Sequence, residues 1–258
     1  MSEPYVDFPA VHAENVSLRY RVPQEKVGSV KEYVIRRLKR NLVFSDFWAL
    51  RDVSFEVPPG EVFGIIGRNG AGKTTLLQVI ARVLRPSRGR VVVRGLTAPL
   101  LGLGVGFNNE LTGRENVFLG GATLGFSFGE MQEKYEKIVD FAGLGEFIDA
   151  PFRTYSSGMR ARLGFAVATD VQPDVLLLDE VMAVGDIEFK EKCERRITEF
   201  RDRGATTIMV SHSPKTILDL CDRAMLLTKG EMAIVGSPDE VIKRYEEGFG
   251  SGAGRAPG

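Results

Sequence analysis

From Ala13 to Tyr20 the chain reads Ala13-Glu14-Asn15-Val16-Ser17-Leu18-Arg19-Tyr20, and Ala49 to Val57 alternates in the same way until Pro58-Pro59-Gly60 stops it. A period of two over such lengths predicts strands buried on one face, here an antiparallel pair. Between them the period changes. Ser29 and Glu32 match a capping box, and Val30, Tyr33, Val34 and Leu38 share one helical face with Arg36, Arg37, Lys39 and Arg40 around it. That predicts a short basic amphipathic helix in an insertion at about 26–42.

Beyond Val62 the strands become wholly apolar and helices follow them, the pattern of a parallel sheet covered on both faces. Phe63 to Ile66 is one such run, Val175 to Leu178 a second and Thr206 to Val210 a third; a helix carrying Leu76, Leu77, Val79, Ile80 and Val83 follows the first. Residues from about 110 to 170 show helical periods only, among them 130–142 and 158–169, and are expected to form a helical lobe inserted in the core. Ala224 to Val235 alternates about Lys229-Gly230 as a hairpin, Ser237-Pro238-Asp239-Glu240 caps a last helix, and glycine-rich 247–258 reads as a flexible tail. The expected fold is α/β: a mostly parallel sheet with an N-terminal antiparallel β-subdomain and an inserted helical subdomain, all in one domain over 1–246.

Composition narrows the class. With 258 residues the chain can bury a large core, and 34 Lys+Arg against 34 Asp+Glu give no net charge to draw it to nucleic acid. Cys193 and Cys221 stand far apart with no histidine at ligand spacing, so a reducing compartment fits and a zinc site does not. No apolar run approaches the roughly 20 residues of a membrane span, and no leader is expected.

The chemistry sits in Gly67-Arg68-Asn69-Gly70-Ala71-Gly72-Lys73-Thr74-Thr75, which fits G-x-x-x-x-G-K-[ST] between a strand and a helix. Glycines let the backbone curl so that N–H groups converge on phosphate oxygens, with the helix N-terminus adding partial positive charge. Lys73 is expected to reach the β- and γ-phosphates of a nucleotide, Thr74 to bind Mg²⁺ and Thr75 to donate near the α-phosphate. Asp179 and Glu180 close a buried strand as adjacent acids. Asp179 suits Mg²⁺, and Glu180 suits the orientation and polarisation of an attacking water.

Tyr155-Ser156-Ser157-Gly158-Met159 resembles the signature motif of the ATP-binding cassette family, Leu-Ser-Gly-Gly-Gln. With Gly67 to Thr75, Asp179-Glu180 and His212 in Val210-Ser211-His212-Ser213, the resemblance runs from about residue 11 to 246. It implies an ATPase that binds ATP and Mg²⁺ and works as a homodimer, in which Ser156, Ser157 and Gly158 of one subunit close on the nucleotide of the other. It also implies that His212 contacts the γ-phosphate, that Asp186 crosses the dimer interface, and that Asn108, with Thr74 and Asp179, stands near the metal where most members have glutamine. Tyr20 resembles the adenine-stacking aromatic; core packing is its other reading.

Ala98 to Phe107, Glu110 to Asn116, Asp179-Glu-Val-Met-Ala-Val-Gly-Asp186 and Phe189 to Cys193 further resemble the ATPase subunit of bacterial cell-surface polysaccharide exporters. That branch implies a separate polytopic membrane permease, a lipid-linked polysaccharide such as O-antigen, capsule or teichoic acid as cargo, and a peripheral position on the cytoplasmic face of the cytoplasmic membrane. It implies no nucleic-acid partner. The loop Leu101 to Gly106 reads either as a segment that flexes against the permease or as a linker. The basic helix reads either as a solvated face or as a contact near the anionic lipid carrier, and no carbohydrate-binding domain is expected after the cassette. An importer ATPase and a soluble, non-transport cassette protein are the competing readings.

Overall fold

Two sheets share one core in the computed structural model, which describes residues 8–23, 44–100, 106–179 and 186–250. The basic helix at 29–40, the loop at 101–105, Glu180 with the five residues after it, and 251–258 lie outside the described residues.

Strand β1 (Val11–Pro23) pairs antiparallel with β2 (Phe44–Val57). Both exceed their sequence expectation, because cross-strand pairing carries them past the alternating stretch. On β1's other side runs β4 (Arg88–Val93), also antiparallel, giving the order β2-β1-β4. Val11, Ala13, Val16 and Leu18 of β1 and Leu50, Val53, Phe55 and Val57 of β2 turn inward and are buried. Phe55 stacks on Phe63 at 5.4 Å between ring centres, joining this sheet to the next.

The second sheet has the order β5-β6-β7-β3-β8-β9. Here β3 (Val62–Ile66), β5 (Thr97–Leu100), β6 (Val175–Leu178) and β7 (Thr206–Ser211) run parallel with β8 (Arg223–Thr228), and β9 (Glu231–Gly236) returns antiparallel. Every residue of β3, β6 and β7 is buried, as their uninterrupted apolar or β-branched composition requires of a sheet packed on both faces. The β8–β9 turn places Lys229 and Gly230 at φ of 51° and 83°, the left-handed pair a tight hairpin needs.

Helix α1 (Lys73–Ile80) is shorter than its apolar spacing suggested. Arg82 adopts φ of 60°, its N–H donates to Val79 O, and Val83 N–H donates to Gln78 O, a Schellman ending that leaves Val83 65% exposed. The Arg82 guanidinium is held by Val93 O at 2.8 Å, which stabilises an ending that usually uses glycine. The last helix, α7 (Pro238–Gly250), runs past 246 into the expected tail.

The inserted lobe is helical, as expected: α2 (Gly113–Thr123), α3 (Phe128–Ala142) and α4 (Ser157–Thr169) pack around Val117, Met131, Ile138, Phe152 and Leu163. Thr112 with Glu115, and Ser127 with Glu130, form complete capping boxes on α2 and α3. Four elements were not anticipated, β4 among them. Edge strand β5 is four residues long and contains Pro99, too short and broken for periodicity to show. Helix α5 (Ile187–Asp202) hides its apolar stripe, Phe189, Cys193, Ile197 and Phe200, among charges. Helix α6 (Pro214–Leu220) completes the fold.

Candidate active site at the carboxyl edge of the sheet

Strands β6, β7 and β3 are parallel neighbours, so Asp179, His212 and Gly67, which follow their carboxyl ends, lie along one edge. That edge is where open α/β sheets bind ligands. The loop entering α1 is shaped for an anion. Ala71 N–H donates to Arg68 O at 3.0 Å, closing a turn whose third residue, Gly70, has φ of 77°. Gly72 is the N-cap at φ of 103°, and a β-carbon there would lie 2.7 Å from Ala49 O. Among the described residues no side chain caps α1, so the first N–H groups of the helix remain for phosphate oxygens.

Lys73 is nearly buried, and its ammonium donates to Gly67 O at 2.7 Å and Arg68 O at 3.2 Å. Burial pushes its pKa below the usual lysine range, while Asp179 pulls it back up. The cation is therefore held inside the loop by two carbonyls and faces a carboxylate. Thr74 Oγ1 donates to Asp179 Oδ2 at 3.3 Å. A hydroxyl and a carboxylate converging on one point are the hard oxygen donors Mg²⁺ takes, so the residues present fit that ion. A cleft of about 440 Å³ joins Asn69 to Thr75 with Asp179, Val210 and the aromatic rings of Tyr20 and Phe47. A larger cleft, about 570 Å³, opens at the opposite edge beside Arg94, Asp174 and Arg203, but it lacks the loop and helix terminus that phosphate binding uses.

The signature segment stands elsewhere. Ser156 is the N-cap of α4, accepting from Met159 N–H at 3.2 Å, and Ser156 and Ser157 are exposed. None of these residues lines the 440 Å³ cleft. Tyr155 anchors the segment: it is buried, and its hydroxyl donates to Phe147 O at 2.7 Å. Arg160 braces it further through Tyr155 O and Arg153 O.

Residues 50–183 match the family model described as ABC transporter. The chain is 42% identical over 241 residues to an O-antigen export system ATP-binding protein, RfbB, of Klebsiella pneumoniae, covering 93% of this chain and 98% of that protein. It belongs to the ABC transporter family. A teichoic acids export ATP-binding protein, TagH, of Lactococcus lactis is 44% identical over 202 residues, 78% of this chain but 43% of that longer protein. Among solved structures, an ATP-binding cassette dimer in a post-hydrolysis state with ADP and phosphate shares the fold, with a TM-score of 0.67 at 21% identity over 88% of this chain and 98% of that one.

In this ABC ATPase, two of the expected site residues have local partners within the chain. The Asn108 carboxamide oxygen accepts from Glu110 N–H at 2.9 Å, closing a local turn, and Asn108 does not line the cleft. Asp186 N-caps α5 through Phe189 N–H at 2.9 Å and pairs with Arg162 at 3.5 Å, so within one chain it is a structural cap. His212 is exposed one residue past β7. Sequence reasoning missed Asn116, which is fully buried: it accepts from Asn108 N–H and donates to Asn108 O and Thr112 O, tying Asn108 to the start of α2. An amide inside an otherwise apolar helical face was its available signal.

Proposed function

We propose that this ABC ATPase drives outward transfer of a lipid-linked cell-surface polysaccharide, of the O-antigen or teichoic acid class, through a separate membrane permease. The names of its RfbB and TagH relatives support the cargo, and the chain aligns with nearly the whole of the Klebsiella protein. Among the described residues no helix is long and apolar enough to cross a membrane.

The observation that carries the chemistry is the convergence of Lys73, Thr74 and Asp179 beside an uncapped helix terminus. Lys73 and the loop N–H groups bind the triphosphate, and Thr74 with Asp179 would hold Mg²⁺. When bound, the ion would supply charge neutralisation to the phosphates. Glu180, directly after Asp179, orients a water and accepts its proton as the water oxygen bonds to the γ-phosphorus and the bond to the β–γ bridging oxygen breaks. Because Ser156 to Gly158 stand away from their own chain's cleft, a second copy supplies them, and two chains enclose two nucleotides. Asp186 then meets the partner from the end of α5.

Co-reconstitution with its permease in vesicles tests the reading. Outward movement of lipid-linked polysaccharide that requires ATP and stops with Lys73→Ala is the expected result. Import of a small solute, or ATP turnover with no membrane partner recovered, overturns it.

A further inference from the structure

Phe47 is 58% exposed, and it borders the same cleft as the phosphate loop. Its orientation follows from an irregularity in β2. Leu18 pairs with Leu50, both buried, but the next residue of β1, Arg19, pairs with Trp48, so Ala49 is an extra residue in β2. With strict alternation Trp48 would share the inward face with Leu50, and Phe47 would point outward. The bulge reverses them, as an inserted residue must when the side-chain period is two.

The outward face is then locked. The guanidinium groups of Arg19 and Arg88 stand 5.6 and 5.3 Å from the Trp48 ring centre, and Asp46 pairs with Arg19 at 2.8 Å and Arg21 at 3.6 Å. The inward side is left with Tyr20 and Phe47, direct cross-strand partners. The bulge is itself seated on the phosphate loop: the Ala49 carbonyl occupies the space that a β-carbon on Gly72 would take. The backbone that receives phosphate and the backbone that aims Phe47 are thus in van der Waals contact.

Resting on the nucleotide reading of this cleft, we propose that Phe47 is a base-contacting residue, which forms with Tyr20 a two-ring apolar wall against the purine of the bound nucleotide. A ring so exposed beside a phosphate site gains by covering its face, and a purine linked to the triphosphate through a ribose reaches only the end of the cleft away from Lys73 and Asp179. Neighbouring β-carbons on paired strands are about 5 Å apart, close enough for both rings to touch one base.

Full-length protein titrated with ATP and, separately, with inorganic tripolyphosphate provides the test. Phe47→Ala should weaken ATP binding roughly tenfold while tripolyphosphate binding changes by less than about twofold, and Phe47→Trp should hold ATP as the parent does. An unchanged ATP affinity in Phe47→Ala overturns the assignment and leaves the phosphate reading standing. Equal weakening of both ligands also overturns it, because the residue then acts through the loop. A parent protein that binds neither ligand sinks the phosphate reading and this inference together.

Discussion

Thr74 and Asp179 are 105 positions apart in the chain, and the threonine hydroxyl donates to the aspartate carboxylate at 3.3 Å. The contact exists because β7 alone separates β3 from β6, so the residues that follow those two strands converge at the same edge. Removing either oxygen should therefore damage the same function. Thr74→Ala and Asp179→Asn are expected to lower Mg²⁺-dependent ATP turnover by at least about tenfold, with Thr74→Ser close to the parent. Turnover against Mg²⁺ concentration checks this, and a Thr74→Ala protein with parental Mg²⁺ dependence would contradict it.

Gly72 meets two constraints at once, a left-handed backbone and the Ala49 carbonyl. Gly72→Ala is expected to destabilise the protein by about 1–3 kcal/mol from backbone strain alone and to abolish tight ATP binding. Gly70 has a similar φ but open space around it, so Gly70→Ala should cost less. Thermal unfolding of the two variants side by side makes the comparison.

Hydrolysis and closure should separate at Glu180. Glu180→Gln is expected to bind ATP and accumulate as a closed dimer, since the group that takes the water's proton is gone while the phosphate contacts remain. Adding Ser157→Arg, which places bulk and charge at the exposed start of α4, should return the protein to monomer. Light scattering with ATP measures both; a dimer that survives Ser157→Arg would show that the signature segment does not form the contact.

Acid should loosen the helical lobe first. The Thr112 backbone and hydroxyl donors hold Glu115 below its usual pKa, and the Ser127 hydroxyl and backbone do the same for Glu130. A carboxyl depressed in the folded state stabilises it above the ordinary value of 4.5, and that contribution is lost as pH falls through the folded value. Thr112→Val with Ser127→Ala should flatten this acid dependence, as read by the thermal midpoint from pH 6 down to pH 3.

Local pattern determined much of this protein. The spacing of Gly67, Gly72, Lys73 and Thr74, the buried run ending at Asp179 and the serine opening of α4 are legible because each is a short-range requirement: a curled backbone, an apolar strand, an N-cap. The hairpin at Lys229-Gly230 is legible for the same reason. Only the tertiary structure decided what depends on pairing between distant segments. It ended α1 before Val83 through Arg82 and Val93 O, added β5 beside β6, and tied Asn108 into a turn under the buried Asn116. It also turned Phe47 toward the nucleotide cleft, because a single inserted residue at Ala49 reverses the faces of the side chains before it relative to those after it. No period within β2 records that insertion, since a bulge is defined by the partner strand it is measured against.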